Sequence, residues 1–539
     1  MSKIFELFSG DSKLSRVGRD GARHLLVLPF PTGETEQKSG AEIGTNEGSD
    51  SFALPLIKKL CDTLNAQQVS YCHWKSNWKL DRWLAGDGDL DLLVHRADAH
   101  RFEGILCGLG FRHAEPTSDR QVPGILNFYG FDKDARRFVH LHVHYQLVIG
   151  HDLTKNYHLP IESVYLDKSS RAGLLPVPAP ELELILFVLR MVLKYSALET
   201  LSRQIAGMSR PPLKAVEAEL DYLEARSDRE RVADLQGRLI PVIDNSFFEK
   251  CRQSLRDGVS SWARTRIRLE LQRHLGTYGR RAQFNDALLT GWRRLARLTR
   301  ERLLHRWSRK SFVNGGLLIA VVGGDGAGKT TVLNALDSWL SKKFATRRFH
   351  LGKPPRSYIT LATIVVLRIR RLVMNIPAHP ELLSASATRG VFPGYVRLLR
   401  WVMAGRDRIR LYAKARRFAS NGGISLCDRY PLKQLRLMDG ANIARTVKPA
   451  RRNALVQRLL KTEANYYSRM MPPDLLIVLR VDPETAVKRK TTENEHHVRL
   501  RSRELWERDW EGTNACVIDA GQPAADVIAE IQCLIWARL

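Results

Sequence analysis

The stretch LLIAVVGGDGAGKTTVLNAL, residues 317–336, decides the fold. It opens as an unbroken apolar run, turns through four glycines, and continues with helical spacing. A short apolar run closed by a turn reads as a strand buried on both faces, and such strands belong to parallel sheets covered by helices. Residues 323–330, GGDGAGKT, satisfy G-x-x-x-x-G-K-[ST] between that strand and that helix. The spacing has a mechanism. Gly323, Gly326 and Gly328 let backbone N–H groups turn inward around phosphate oxygens, and the helix points its positive end at them. Lys329 reaches the outer phosphates, Thr330 offers a hydroxyl to Mg²⁺, and Thr331 follows on the first turn. ATP with Mg²⁺ is the cofactor this loop calls for.

Downstream, GGISLCD (422–428), DLLIVLRVD (474–482) and ACVIDA (515–520) are further short apolar strands separated by helical segments. The fold class is therefore α/β, with a parallel sheet between helices. Asp428 ends its strand in the crevice where such sheets bind ligands, and is placed to organise Mg²⁺. Arg429 is fork-shaped and permanently charged, suited to hold an acceptor phosphate through two hydrogen bonds.

The DGAGKTT run at 325–331 resembles the phosphate loop of thymidylate kinases. NGGISLCDRYPL (421–432) is similar to that family's Asp-Arg-Tyr/His strand end. PPDLLIVLRVDPETAVKRK (472–490) and VIDAGQPAADVIAEI (517–531) resemble its later strands, and the order is kept over residues 315–539. The resemblance implies a kinase of the nucleoside-monophosphate type. It implies that Asp325 contacts the acceptor's sugar and that Arg408, near Arg406 and Arg410, is a second phosphate clamp. Where some thymidylate kinases carry a catalytic Arg in the loop this chain has Gly326, which resembles the branch with lid arginines. KRKTTENEHHVRLRSRE (488–504) supplies Arg489, Lys490, Arg499 and Arg501 as lid candidates, Arg489 and Arg499 foremost. After Asp-Arg-Tyr the chain reads PLKQLRLMDGANI, without the family's Ser and Tyr-Gln pair, so thymidylate specificity does not follow. YITLATIVVLRIRRLVM (358–374) reads as core packing in the acceptor region.

A second chemistry lies upstream. In HWKSNWKLDRWLAGDGDLDLLV (73–94), Asp89 and Asp91 alternate on a strand and share a face, as metal-dependent nucleotidyl transfer needs. With Lys75-Ser76 ahead of them, and HVHYQL and PAPELELILFVLRMVLK behind, the segment resembles the polymerase-β-type nucleotidyltransferase superfamily, closest to an uncharacterised bacterial nucleotidyltransferase family. The resemblance implies that Asp89 and Asp91 are catalytic and metal-binding. His142 stands near the place of the third carboxylate, in a triplet with His140 and His144. Histidine is a poor replacement where Mg²⁺ wants oxygen, though it suits Zn²⁺ or Mn²⁺.

At 539 residues the chain exceeds one core. Residues 1–50 read as a partly flexible segment, 51–205 as an α+β nucleotidyltransferase-like domain, 206–312 as a basic helical connector, and 313–539 as the P-loop domain. Lys+Arg number 85 against 57 Asp+Glu, a net charge of +28, which favours anionic partners. Residues 251–310 alone carry 16 Lys and Arg against 4 Asp and Glu. A nucleotide-gated grip on nucleic acid or an anionic membrane surface is therefore a further reading, behind a solvated connector. The seven Cys are scattered without C-x-x-C pairs, pointing to reduced thiols. No apolar run approaches the ~20 residues of a spanning helix and no secretory signal is apparent, so a cytoplasmic location is expected.

Overall fold

Alternation of apolar and polar residues sets which face each strand buries, and it builds two large sheets. The structure is a computed structural model that describes residues 52–194, 213–299, 309–358, 360–362, 365, 392–432, 434–435, 440–491 and 493–539. The strands are β1 (Tyr71–His73), β2 (Asp89–Val94), β3 (Arg112–Glu115), β4 (Ile125–Asp132), β5 (Arg137–His144), β6 (Leu147–Ile149), β7 (Tyr157–Leu159), β8 (Ser169–Ala172) and β9 (Leu175–Pro178). After the helical region come β10 (Ser311–Phe312), β11 (Leu318–Gly323), β12 (Thr346–His350), β13 (Ile424–Asp428), β14 (Leu475–Arg480) and β15 (Ala515–Asp519).

The first sheet has the order β1-β2-β5-β4-β3-β10, and β6/β7 and β8/β9 form separate ribbons. Only β2 and β5 run parallel, in a register that sets Asp89 opposite His140 and Asp91 opposite His142. The run RFVHLHVHYQLVI, whose composition has strand character throughout, is broken after His144, and Leu147–Ile149 pairs with β7 instead.

The second sheet is parallel throughout, in the order β12-β13-β11-β14-β15. β11 lies at its centre with all six residues buried. Its side chains divide between two cores, as a strand's period of two requires. Ile319 and Val321 pack with Val332, Leu336, Val527 and Ile531 of the helices Lys329–Leu340 and Ala524–Arg538. Leu318, Ala320 and Val322 pack with Tyr412, Ala415 and Ala419 of the helix Tyr395–Ser420 on the other face. The sheet is thus covered by helices on both sides, and its carboxyl ends (Gly323, His350, Asp428, Arg480, Asp519) form one edge.

The basic helices do more than connect. Leu213–Arg226, Arg229–Leu239, Asn245–Gln253 and Ser261–His274 gather around Pro180–Lys194 in one core that also takes in Trp74, Leu93 and Leu147 under the first sheet. Phe284, Leu288, Trp292 and Leu295 of the helix Gln283–Leu298 remain exposed.

The two sheets also share packing. Phe131 and Phe138 meet Trp339, Phe344 and Trp536 at ring separations of 4.9–6.2 Å. β10 pairs with β3, and the Trp536 indole N–H donates to the Gly110 carbonyl at 3.0 Å. All seven cysteines are free. Among the described residues no helix is long and apolar enough to cross a membrane. The partly flexible reading of residues 1–50 lies outside the described residues, as does most of 358–374. Of the latter stretch Tyr358 is 90% and Val365 50% exposed, so these positions do not pack in a core.

Candidate functional site

The phosphate loop leaves β11 at Gly323 and enters the helix Lys329–Leu340 through Gly328, whose φ of +79° is the left-handed turn that glycine adopts without strain. Gly326 is held more tightly. Its φ is +83°, and a Cβ there would lie 2.6 Å from the Ala486 carbonyl oxygen, so the position has no room for an arginine. A Cβ on Gly324 would lie 3.1 Å from Ser502 Cα. The loop is thus pressed against two short helices, Pro483–Arg489 and Glu495–Trp506, begun by the side-chain caps of Asp482 and Asn494.

Lys329 donates to the Gly323 and Gly324 carbonyls at 2.9 and 2.6 Å. Burial lowers its ammonium below the ordinary lysine value, and the charges of Asp325, Arg429, Asp428 and Glu493 all act on it. Asp325 is 8% exposed and accepts from Arg501 Nη1 at 2.6 Å. Burial would raise this carboxyl, but Arg501, with Lys329 and Arg429, brings it below the usual range. Thr330 and Thr331 are exposed at the start of the helix.

Across the edge, Asp428 Oδ2 accepts from His350 Nδ1 at 2.8 Å, while Oδ1 is buried without a partner among the described residues. A buried carboxylate oxygen left unpaired is costly unless something polar comes to it. Arg429 follows with φ +53°, left-handed backbone that a side-chain-bearing residue adopts only under constraint.

The structure sorts the cationic candidates. Arg501 reaches the phosphate loop. Arg489 donates to the Ala520 carbonyl at 2.7 Å, just past β15, and Arg499 pairs with Glu484 at 2.9 Å on the exposed side of the two short helices. Lys490 sits 3.6 Å from Glu493. Arg408 is 4% exposed and donates to the Leu351 and Gly352 carbonyls at 2.6 and 3.0 Å and to the Tyr467 hydroxyl. It braces the loop after β12.

On the first sheet, Asp89 Oδ1 accepts from His140 Nδ1 at 2.5 Å and Asp91 Oδ1 from Lys75 at 2.7 Å and His142 Nδ1 at 2.9 Å. His144 Nε2 lies 3.6 Å from the same Asp91 oxygen and 3.3 Å from His142 Nδ1. Burial would raise Asp89, yet His140 brings it to about 2; Asp91 falls well below its ordinary value because Lys75 and the two imidazoles outweigh burial. Burial pushes His142 down to about 4 and His144 well below the usual range, so both rings are neutral near pH 7.

Beside this cluster lies a cavity of about 250 Å³ lined by Lys75, Ser76, Asp152, Lys155, Arg190 and Lys194, among others. Ser76 (φ +59°) and Lys155 (φ +44°) are both left-handed, so two of the few non-glycine residues with positive φ among the described residues face one cavity. Burial, reinforced by Lys75, pushes Lys155 down to about 7.

Two relatives are similar to part of this chain. They are the Uncharacterized ATP-binding protein YghR of Escherichia coli strain K12 and the protein of the same name from Escherichia coli O6:H1. Each is 26% identical over 223 residues, which is 40% of this chain and 85% of the relative. No family model matches the chain.

Sequence reasoning did not single out Lys155, Arg190, Lys194 and His350: Arg190 and Lys194 lie one turn apart on the helix Pro180–Lys194, Lys155 on the loop between β6 and β7, and His350 at the end of β12.

Proposed function

We propose that this chain binds ATP and acts as a P-loop phosphotransferase of the thymidylate kinase-like type, passing the terminal phosphoryl group to a phosphorylated small-molecule acceptor such as a nucleoside monophosphate. The observation that carries the reading is the gathering of charge at one sheet edge. Lys329, the Asp325–Arg501 pair, Asp428 with an unpaired buried oxygen, and Arg429 share one electrostatic neighbourhood. The printed name of the two similar proteins is in keeping with nucleotide binding.

The residues also fit Mg²⁺. The exposed Thr330 hydroxyl at the helix start and Asp428 Oδ1 would hold it, directly or through water. When bound, ATP with Mg²⁺ supplies the phosphoryl group and offsets its charge. The chain's own part is positioning and neutralisation, which is most of what phosphoryl transfer asks of a protein. Lys329 leaves the loop carbonyls for the outer phosphates. Arg429 holds the acceptor's phosphate, Asp325 meets its sugar, and Arg501 closes from the lid. The reading divides the chain into a nucleotidyltransferase-like domain at 51–205, basic helices at 206–312 and the P-loop domain at 313–539.

The test is ADP release by the purified full chain with ATP, Mg²⁺ and a panel of nucleoside monophosphates, sugars and sugar phosphates. At least one acceptor should stimulate release, and Lys329→Ala should lower turnover by on the order of 100-fold or more. Normal ATP binding without stimulation by any acceptor would remove the transferase reading, and absence of ATP binding would remove all of it.

A second reading, metal-dependent nucleotidyl transfer through Asp89 and Asp91, draws support from the basic cavity beside Asp91, which is chemically suited to a polyphosphate. Loss of transfer in Asp89→Ala, with phosphotransfer intact, is its signature.

A further inference from the structure

Three nitrogen and oxygen atoms on the first sheet lie at the spacing of a metal's coordination face. His142 Nδ1 and Asp91 Oδ1 are 2.9 Å apart, His144 Nε2 and His142 Nδ1 3.3 Å, and His144 Nε2 and Asp91 Oδ1 3.6 Å. For a tetrahedral Zn²⁺ with bonds of about 2.0–2.1 Å, the edges between ligand atoms come to about 3.3–3.4 Å. The three observed edges bracket that value. No other group of three such side chains with this closeness occurs among the described residues.

We propose that Asp91, His142 and His144 form a binding site for one borderline divalent cation of the Zn²⁺ or Co²⁺ kind, with its remaining position open. The site differs from both readings above: the nucleotidyl-transfer reading pairs Asp91 with Asp89 around Mg²⁺, whereas here Asp91 is joined by two imidazoles and Asp89 takes no part.

The chemistry of the set decides the class of ion. Two imidazoles and one carboxylate suit Zn²⁺ and Co²⁺, whereas Mg²⁺ demands near-octahedral oxygen and keeps its waters. Asp89 is engaged elsewhere, with its oxygen 2.5 Å from His140 Nδ1, and half its side chain faces solvent. The ligands sit on rigid elements: Asp91 and His142 are directly opposite on parallel strands, and His144 is one full strand repeat further along β5. His144 is fully buried, held edge-on to the Trp74 ring at 5.0 Å.

Lys75 explains how the cluster survives without the ion. Its ammonium, 2.7 Å from Asp91 Oδ1, supplies the one positive charge this buried carboxylate needs. It also lines the adjoining cavity, so the cation's arrival displaces the ammonium into a space already open to it. Lys75 and the ion therefore compete for Asp91. That competition separates this site from a mere hydrogen-bonded cluster, in which Lys75 is simply another partner. Binding requires the neutral His142 ring to carry its N–H on Nε2, so that Nδ1, which donates to Asp91 without the ion, presents its lone pair instead.

The test uses the full chain, stripped by chelator and free of nucleotide. Zn²⁺ binding is followed by calorimetry, and Co²⁺ binding by its visible absorption, which is intense for tetrahedral and weak for octahedral sites. One equivalent should bind with a tetrahedral spectrum. His142→Ala and His144→Ala should each weaken affinity by on the order of 100-fold, since even outer-shell losses cost ~10–100-fold. Lys75→Met should tighten binding by tenfold or more, a gain that misfolding cannot mimic. Absence of stoichiometric binding, an octahedral spectrum, dependence on Asp89 in place of the two histidines, or weaker binding in Lys75→Met would each overturn the proposal.

Discussion

Lys155 bears two burdens at once, a left-handed backbone and an ammonium in a cavity already lined by Lys75, Arg190 and Lys194. Burial, then the charge of Lys75, brings its pKa to about 7 in the folded chain. Unfolded, a lysine titrates near ~10.4. The unfolded chain thus holds more protons between these values, and stability should rise as pH climbs from about 7 to ~10.4. Below pH 7 the charge is buried at full penalty. Lys155→Met keeps the stem and removes the charge, so it should be more stable than the parent at pH 6.5 and lose that advantage by pH 10. Urea unfolding at both pH values checks this, and an advantage independent of pH would refute it. An anion in the cavity should stabilise the parent more than the variant for the same reason. The same residue shows what sequence cannot reveal. Asp89 and Asp91 announce themselves by their spacing on a strand, and Lys329 by its motif. Lys155, Arg190 and Lys194 share a cavity only because a loop and a helix fold together, and no local pattern encodes that. Arg501 is intermediate: the sequence offered four lid cations, and the phase of one helix against the loop selects among them.

Strands with two buried faces were plain in the sequence. β11 and β14 are continuous apolar runs, and β13 ends in the Asp-Arg pair that marks the site. β12 was not, because TRRFH is an edge strand with one buried side chain, Phe349, and its composition is that of a surface loop. β10 was less legible still. Two residues make no periodicity, and their partner β3 is about two hundred positions away in the chain. Yet this small strand is well anchored. Phe312 is 5% exposed, stacks on Phe344 at 4.6 Å and approaches Trp536 at 6.3 Å. Next to it, Lys310 Nζ donates to Asn127 Oδ1 at 2.6 Å and Tyr129 Oη at 2.8 Å. Phe312→Ala removes a ring from the meeting place of the two sheets and should cost about 3–5 kcal/mol. Chemical denaturation measures it, and a loss below ~1 kcal/mol would mean that β10 is decoration on an interface held by other residues.

At the scale of the whole molecule, the question is whether the two candidate sites share one folding unit. Phe131 and Phe138 of the first sheet belong to the same packed cluster as Trp339 and Trp536, which rise from the helices flanking the phosphate-loop sheet. Lys310 adds polar bonds across the junction, and burial brings it to about 8 even though Asp89 and Glu115 favour its charge. Inter-domain contacts of large apolar area do not open independently, whereas small polar ones do. Apart from these polar bonds the junction is built of packed aromatic rings, so the sheets should melt together. A ligand at one end then stabilises the other. With ATP at 100 times its Kd, folded-state binding is worth about 2.7 kcal/mol. If the unit is single, that protection reaches the amides of β4 and β5, far from the phosphate loop, and hydrogen exchange there should slow by on the order of 100-fold where opening is global. Trp339→Ala should break the link, leaving ATP protection on β11 and β13 while β4 and β5 exchange at their ligand-free rates. Protection confined to the second sheet in the parent chain would mean that the aromatic junction opens on its own, and that the two sites respond to their ligands separately.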